Sequence, residues 1–362
     1  MDLVWRCCDL RMVSTMFEVA TYVLAVVILH HALFQSNKFT MSDTGRTELL
    51  PSDRYNRARW VWTLVWGIFF GCVIEILLVK LNDYRYGDHF LFYVPSPFGR
   101  DERVPLSVGV GWGVLLYTCT LVAQRLKQST WARALFAGLL ALSIDASLDP
   151  VARIGRLWNG SVGTPNFHGV PYDNFTGWML IVTSYSFCVR CFFGWIDKSR
   201  SEKVKSVAAI WVPFVACAIA TGITGLTDHI LNHWIYPSQN VPDPRPVLCP
   251  EWAVFGGLVL IALLVVGKNC LEGSGNHRPI AAILAVPLVY HPLCWACAQT
   301  MRENIDSEQH SLVTMAIPFF FVVTMVAFLW GWKRDEVRAR AEHIGRLVRA
   351  RLAPPPSVPR PG

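Results

Sequence analysis

Apolar residues in this chain come in blocks of membrane-crossing length, separated by short polar stretches. The blocks fall near 14–35, 60–81, 104–126, 131–149, 176–195, 205–225, 252–267, 279–300 and 311–332. A helix that crosses the hydrocarbon core needs about 20 mostly apolar residues. The pattern therefore predicts an all-α fold, a polytopic membrane bundle of about nine transmembrane helices. Glu18 in the first block and the shortness of the seventh are the weakest points, and discounting one block leaves eight. No small-x-small cleavage site follows His30-His31, so the first block reads as a span and not as a cleaved leader.

Lysine and arginine test that count independently, because cytoplasmic loops are enriched in both. With the N-terminus outside, the inner segments are 36–59, 125–133, 196–206, 268–278 and the stretch from 333. They hold 22 of the 33 basic residues, the outer segments hold 9, and Lys80 and Arg190 lie within spans. The alternation predicts an N-terminus outside and a cytoplasmic C-terminus. Residues 1–332 then form one transmembrane domain. Residues 333–362 form a basic tail in which Val337, Ala341, Ile344 and Val348 share a helical face, as in a helix lying on an anionic leaflet, before the run Pro354-Pro355-Pro356.

Composition agrees with this picture. Hydrophobic residues make up 53% and charged residues only 16%, whereas a soluble domain carries about a quarter charged. The net charge of +7 sits in clusters between apolar blocks, so the bilayer surface and not nucleic acid is the expected partner. The pairs Cys188/Cys191 and Cys294/Cys297 have redox or zinc spacing. Both fall inside spans with no second pair nearby, so they read as small buried hydrophobes.

Ionisable residues within the spans point to chemistry. Glu75 lies in the last third of the second block, and Asp145 and Asp149 lie four apart in the fourth, on one helical face. Left in lipid, three carboxylates would cost about 8–10 kcal/mol, so a polar interior is expected around them. The orientation brings them to one outer level, together with Asp173, Asn174 and Trp178 at the start of the fifth span and Asp228-His229 at the end of the sixth. Asp149, Asp173 and Asp228 also fit as helix-end residues in the headgroup region. Glu75 and Asp145 do not, being at least a turn inside. The fourth span is expected to end at Asp149-Pro150, and no internal repeat is apparent. His229 and His233 have HxxxH spacing, far short of a metal centre, and solvated loop residues are expected there. Pro287 and Pro292 flank a break around His291, which makes it a candidate cavity-lining residue.

Residues 141–179, ALSIDASLDPVARIGRLWNGSVGTPNFHGVPYDNFTGWM, resemble the signature of the carotenoid biosynthesis membrane proteins typified by the bacterial and archaeal carotenoid 1,2-hydratases (bisanhydrobacterioruberin hydratase-like). Asp145, Asp149, Pro150, Val151 and Ala152 match the D-L-x-x-D-P-V-A helix end. Gly169, Val170, Pro171, Asn174, Phe175, Gly177 and Trp178 match G-V-P-x-x-N-F-x-G-W. Glu75, the run Tyr86 to Tyr93, and Val104-Pro105-Leu106 also resemble the family. The family-like core covers about 60–267, with spans 279–332 as additions. His168 stands where an aromatic is expected and Asp173 where a small polar residue is usual.

The resemblance implies a bacterial cytoplasmic-membrane enzyme that needs no cofactor and no metal. Its partners would be the bilayer, a lipophilic carotenoid or polyprenyl substrate, and other enzymes of the carotenoid pathway. The implied reaction adds water across a terminal C=C of an acyclic carotenoid end group, making the protein a hydro-lyase. Protonating an alkene needs a carboxylic acid that still holds its proton near neutral pH, a state favoured by burial beside other carboxyls. On this reading Asp145 is the acid, Asp149 and Glu75 tune it and hold water, and Asn174 orients water or a carboxylate. Trp178, Trp158 and Tyr172 would face the tertiary cation, with His168 and His291 as further substrate-binding residues. Two alternatives stay open: a membrane terpene or polyprenyl cyclase using the same protonation, and a proton-coupled transporter.

Overall fold

A computed structural model describes residues 2–35, 53–82, 85–99, 102–124, 129–159, 166–167, 169–230, and residues 257, 259–261, 289 and 294. Six helices order the described chain: α1 (Asp2–His30), α2 (Asp53–Asn82), α3 (Leu106–Ala123), α4 (Thr130–Ile154), α5 (Tyr172–Ile196) and α6 (Glu202–Ile230). Each contains a stretch long and apolar enough to cross a membrane, so the protein is an integral membrane protein with a mostly helical fold. A π-helical turn, His31–Gln35, continues α1. The seventh to ninth predicted spans and the tail lie outside the described residues, apart from isolated positions. Among these, Cys294 is buried against Val13, Phe17 and Val151.

α3 is the central helix. It carries no charged residue, and 83% of its membrane window is buried, against 39% for α1 and α6. α2 packs on α3 and α6, α4 on α5, α5 on α6, and α1 on α3. Without a hydrophobic drive inside lipid, helices associate through close backbone approach, which small residues permit. Gly67 and Gly71 on α2 face Gly109 and Gly113 on α3. A Cβ on Gly67 would meet the Gly113 Cα at 2.9 Å, and one on Gly113 would meet the Leu64 carbonyl at 3.0 Å.

Three two-stranded ladders knit the loops at one end of the bundle. β1 (Arg85–Tyr86) pairs antiparallel with β4 (Trp158–Asn159). β2 (Tyr93–Val94) pairs with β3 (Val104–Pro105), and β5 (Asn166–Phe167) with β6 (Val170–Pro171). Gly169, at φ +82°, turns the last hairpin in a conformation that costs glycine little.

These elements correct the expectation that the chain has no internal repeat. Residues 53–123 run α-β-β-β-α, and residues 130–196 run α-β-β-β-α again. Both final helices start from a Val-Pro strand end, with Pro105 at φ −60°, ψ 133° and Pro171 at φ −60°, ψ 146°. Both read V-P-x5-G-W from there, over 104–112 and 170–178. The duplication escapes hydropathy because its marker is a short motif at two helix starts.

The predicted end of the fourth span at Pro150 is also corrected, since α4 continues through it to Ile154. Proline removes one helical N–H, but its fixed φ is helical and the rest of the turn can form. Asp149 therefore sits inside a helix. The weakness of the first span has a physical cause as well. Glu18 is fully buried in α1 and accepts the Leu91 N–H at 2.7 Å, the Phe92 N–H at 3.4 Å and the Tyr22 hydroxyl at 3.3 Å. A charged residue thus tethers the α2–α3 loop to α1. Cys188 is buried as expected, whereas Cys191 is exposed, which corrects that reading for one of the pair; it points away from the helix packing that covers its neighbour.

The far end of the bundle is latched separately. The Tyr55 hydroxyl donates to Asp197 at 2.9 Å, and Arg59 pairs with Asp197 at 3.5 Å while lying over the Phe193 ring. Deeper in, His31 Nδ1 and the Tyr117 hydroxyl are 2.7 Å apart.

Candidate active site

The two repeated units meet at their carboxylates. α2 presents Glu75, 5% exposed, and α4 presents Asp145, 0% exposed. The Asp145 carboxyl lies within hydrogen-bonding reach of Asp149, one turn further along α4, and Glu75 is close enough to interact electrostatically with both. Three acidic side chains from two helices thus share one interior.

Their hydrogen bonding differs sharply. Glu75 Oε2 accepts the Tyr86 hydroxyl at 2.7 Å, and its Oε1 accepts the Trp112 Nε1–H at 2.7 Å. Asp149 Oδ2 accepts from the Asn174 amide. Neither oxygen of Asp145 meets a protein donor among the described residues; its polar neighbour is Asp149. Two carboxyls this close repel each other when both are ionised.

Local structure explains these placements. β1·β4 pairing sets Tyr86 opposite Trp158, and the Gly87 N–H donates to the Leu157 carbonyl at 2.9 Å, so the loop after α4 holds Tyr86 over Glu75. The Tyr93 hydroxyl donates to the Gly87 carbonyl at 2.6 Å and accepts the Phe90 N–H at 3.1 Å. Burial raises this hydroxyl above its ordinary pKa, which keeps the donated proton in place. Trp112 sits against Gly71, where a Cβ would fall 2.8 Å from its indole Cγ. The Trp112 and Trp178 rings stack with centroids 3.9 Å apart at 7°, and Phe70 meets Trp112 edge-on.

Of the residues singled out from sequence, Glu75, Asp145, Asp149, Asn174 and Trp178 converge. Trp158 is half-buried in the roof, under the Arg153 guanidinium at 5.1 Å, and Tyr172 is half-buried at the first turn of α5, packed near Phe175 and Met179. Asp173 is exposed and accepts the Asn174 N–H at 2.8 Å, as a helix-end residue would. His229 is exposed on the last turn of α6. His168, His233 and His291 lie outside the described residues. No group of three His, Cys, Asp or Glu able to hold a metal occurs among the described residues.

Sequence reasoning missed three participants. Tyr86 and Trp112 are the donors to Glu75, and Glu18 tethers the loop that carries Tyr86. The duplicated V-P-x5-G-W was the available signal for Trp112, and a carboxylate inside an apolar block was the signal for Glu18.

No curated protein and no solved structure matches the chain. The model of the carotenoid biosynthesis protein family matches residues 17–235, well over half of the 362. That stretch takes in the second half of α1 with Glu18, both repeated units and the whole carboxylate cluster. The chain belongs to the carotenoid biosynthesis protein family.

Proposed function

We propose that the protein is a cofactor-independent carotenoid hydratase, adding water across the terminal double bond of an acyclic end group. One observation carries the reading: Asp145 is fully buried, meets no protein donor among the described residues and faces Asp149, an arrangement suited to a carboxyl pair that passes a proton. A proton leaves Asp145 for the less substituted alkene carbon, and the π pair becomes the new C–H bond. Positive charge remains on the tertiary carbon, facing Trp178, with Trp158 and Tyr172 nearby. Water attacks that carbon through oxygen, and its surplus proton passes to Asp149, which Asn174 orients. Transfer between the two aspartates restores Asp145. One water is consumed, and no electrons are gained or lost.

Glu75 stays a fixed acceptor between two donors, an anion placed to offset the developing cation. The apolar substrate enters sideways from the bilayer, and other pathway enzymes supply it. The protein resides in a bacterial cytoplasmic membrane, N-terminus outside and C-terminus inside. His168 and His291 complete the substrate-binding set on this reading.

Expression in a bacterium that accumulates lycopene and related acyclic carotenoids, followed by pigment mass analysis, tests the reaction. A product heavier by one water, absent with Asp145→Asn, is expected. An isomer of unchanged mass would replace hydration by cyclisation, and unchanged pigments would reject the enzymatic reading for these substrates.

A further inference from the structure

The two V-P-x5-G-W motifs end in tryptophans that find each other. Trp112 and Trp178 occupy the same position in the two units, eight residues after the valine, and their rings lie nearly parallel in contact. Equal strands, β1 and β4, likewise pair with each other. Like-with-like pairing is what a two-fold relation between copies produces; α6, packed on α2 and α5, departs from it.

The two tryptophans have separate surroundings. Trp112 is 2% exposed, pinned by Gly71 behind it and by its N–H on Glu75. Trp178 is half-buried and lies one turn beyond Asn174, on the same face of α5 as the amide that holds Asp149. An indole whose N–H donates to a carboxylate gains electron density, because hydrogen bonds polarise one another in a low-dielectric interior. A parallel stack lets that negative ring face act on its neighbour.

We propose that the Trp112–Trp178 stack is the cation-stabilising surface of the site. Trp178 faces the tertiary carbon, and Trp112 is a positioning residue that holds the Trp178 ring and couples it to the Glu75 anion. This rests on the protonation mechanism above and deepens it, since it selects substrates whose protonation yields a tertiary cation beside the indole.

Fluorinated tryptophan tests it without changing shape. Mono-, di- and trifluorotryptophan would be incorporated into the full-length protein and into Trp178→Phe, and initial rates measured in membranes with an acyclic carotenoid. Each added fluorine withdraws density from the ring face. Turnover of the parent protein is expected to fall about two- to fivefold per step at unchanged KM, while Trp178→Phe starts lower and responds to none of the analogues. Trp112→Phe, which keeps a ring but loses the N–H, is expected to lose about tenfold in kcat at unchanged KM. An active parent with a flat fluorine series, or an equally steep series in Trp178→Phe, overturns the stack while leaving the hydratase standing. A parent that forms no product with ordinary tryptophan overturns both.

Discussion

The unit α2-β1-β2-β3-α3 and the unit α4-β4-β5-β6-α5 share element order and a closing motif, yet they treat their acids in opposite ways. In the first, Glu75 is one carboxylate between two donors, Tyr86 and Trp112. In the second, Asp145 meets another carboxyl and, among the described residues, no protein donor, while the Asn174 amide donates to Asp149. The position of Asn174 in the second motif is held by Val108 in the first, and Val79 stands four residues after Glu75 where Asp149 follows Asp145. A few substitutions on a common scaffold thus separate a carboxylate with two donors from a pair of neighbouring carboxyls. The two units differ in the donors they supply: two to Glu75, and one, from Asn174, to the aspartate pair.

Exchanging the two acids' partners would break that comparison. Asp145→Asn is expected to lower turnover by about 10³-fold or more with the protein still folded, because the proton donor is gone; pigment analysis beside a thermal melt in detergent checks both. Glu75→Gln keeps the size and an acceptor but loses the charge, and about a 100-fold loss is expected. A loss in Glu75→Gln as large as that in Asp145→Asn, with both proteins folded, would mean that the two halves are not divided by role. Asn174→Ala leaves Asp149 unoriented, and about a tenfold fall in kcat with little change in KM should appear in membrane assays.

Smaller effects sharpen the comparison at the scaffold. Gly71→Ala pushes a methyl group into Trp112 and the Gly109 carbonyl, and about 1–3 kcal/mol of destabilisation is expected, visible as a lowered melting temperature. Gly177, within the second motif, has nothing within 4 Å of a Cβ position. Gly177→Ala should be neutral or stabilising by up to about 1 kcal/mol, as for a helical glycine without a packing role. Equal destabilisation of the two would show that the close approach of α2 and α3 does not seat Trp112.

Membrane insertion was legible because it depends on local composition. Six blocks of apolar residues became six helices, most of them extended past the predicted edges, because polar flanking residues such as Arg54 and Asn174 still satisfy helical geometry. The carboxylates were legible for a related reason, since an acid in an apolar block is expensive unless it has partners, whatever the fold. Glu18 obeys the same rule, but the sequence shows it only as a weak point in a span, because its partners are backbone N–H groups of a loop 73 residues away. Trp112 lies in a helix without a charged residue, and only the recurrence of its motif at Trp178 marks its indole out.

By itself, then, the sequence determined that this chain enters a membrane, that it carries costly acids at one level of it, and that a family signature surrounds them. Which donor meets which acid was decided only in three dimensions. Tyr86 reaches Glu75 because β1 pairs with a strand of the other unit, and Trp112 reaches it because Gly71 leaves room. Hydropathy sums over residues independently, whereas hydrogen-bond satisfaction depends on distances of a few tenths of an ångström between segments far apart in the chain.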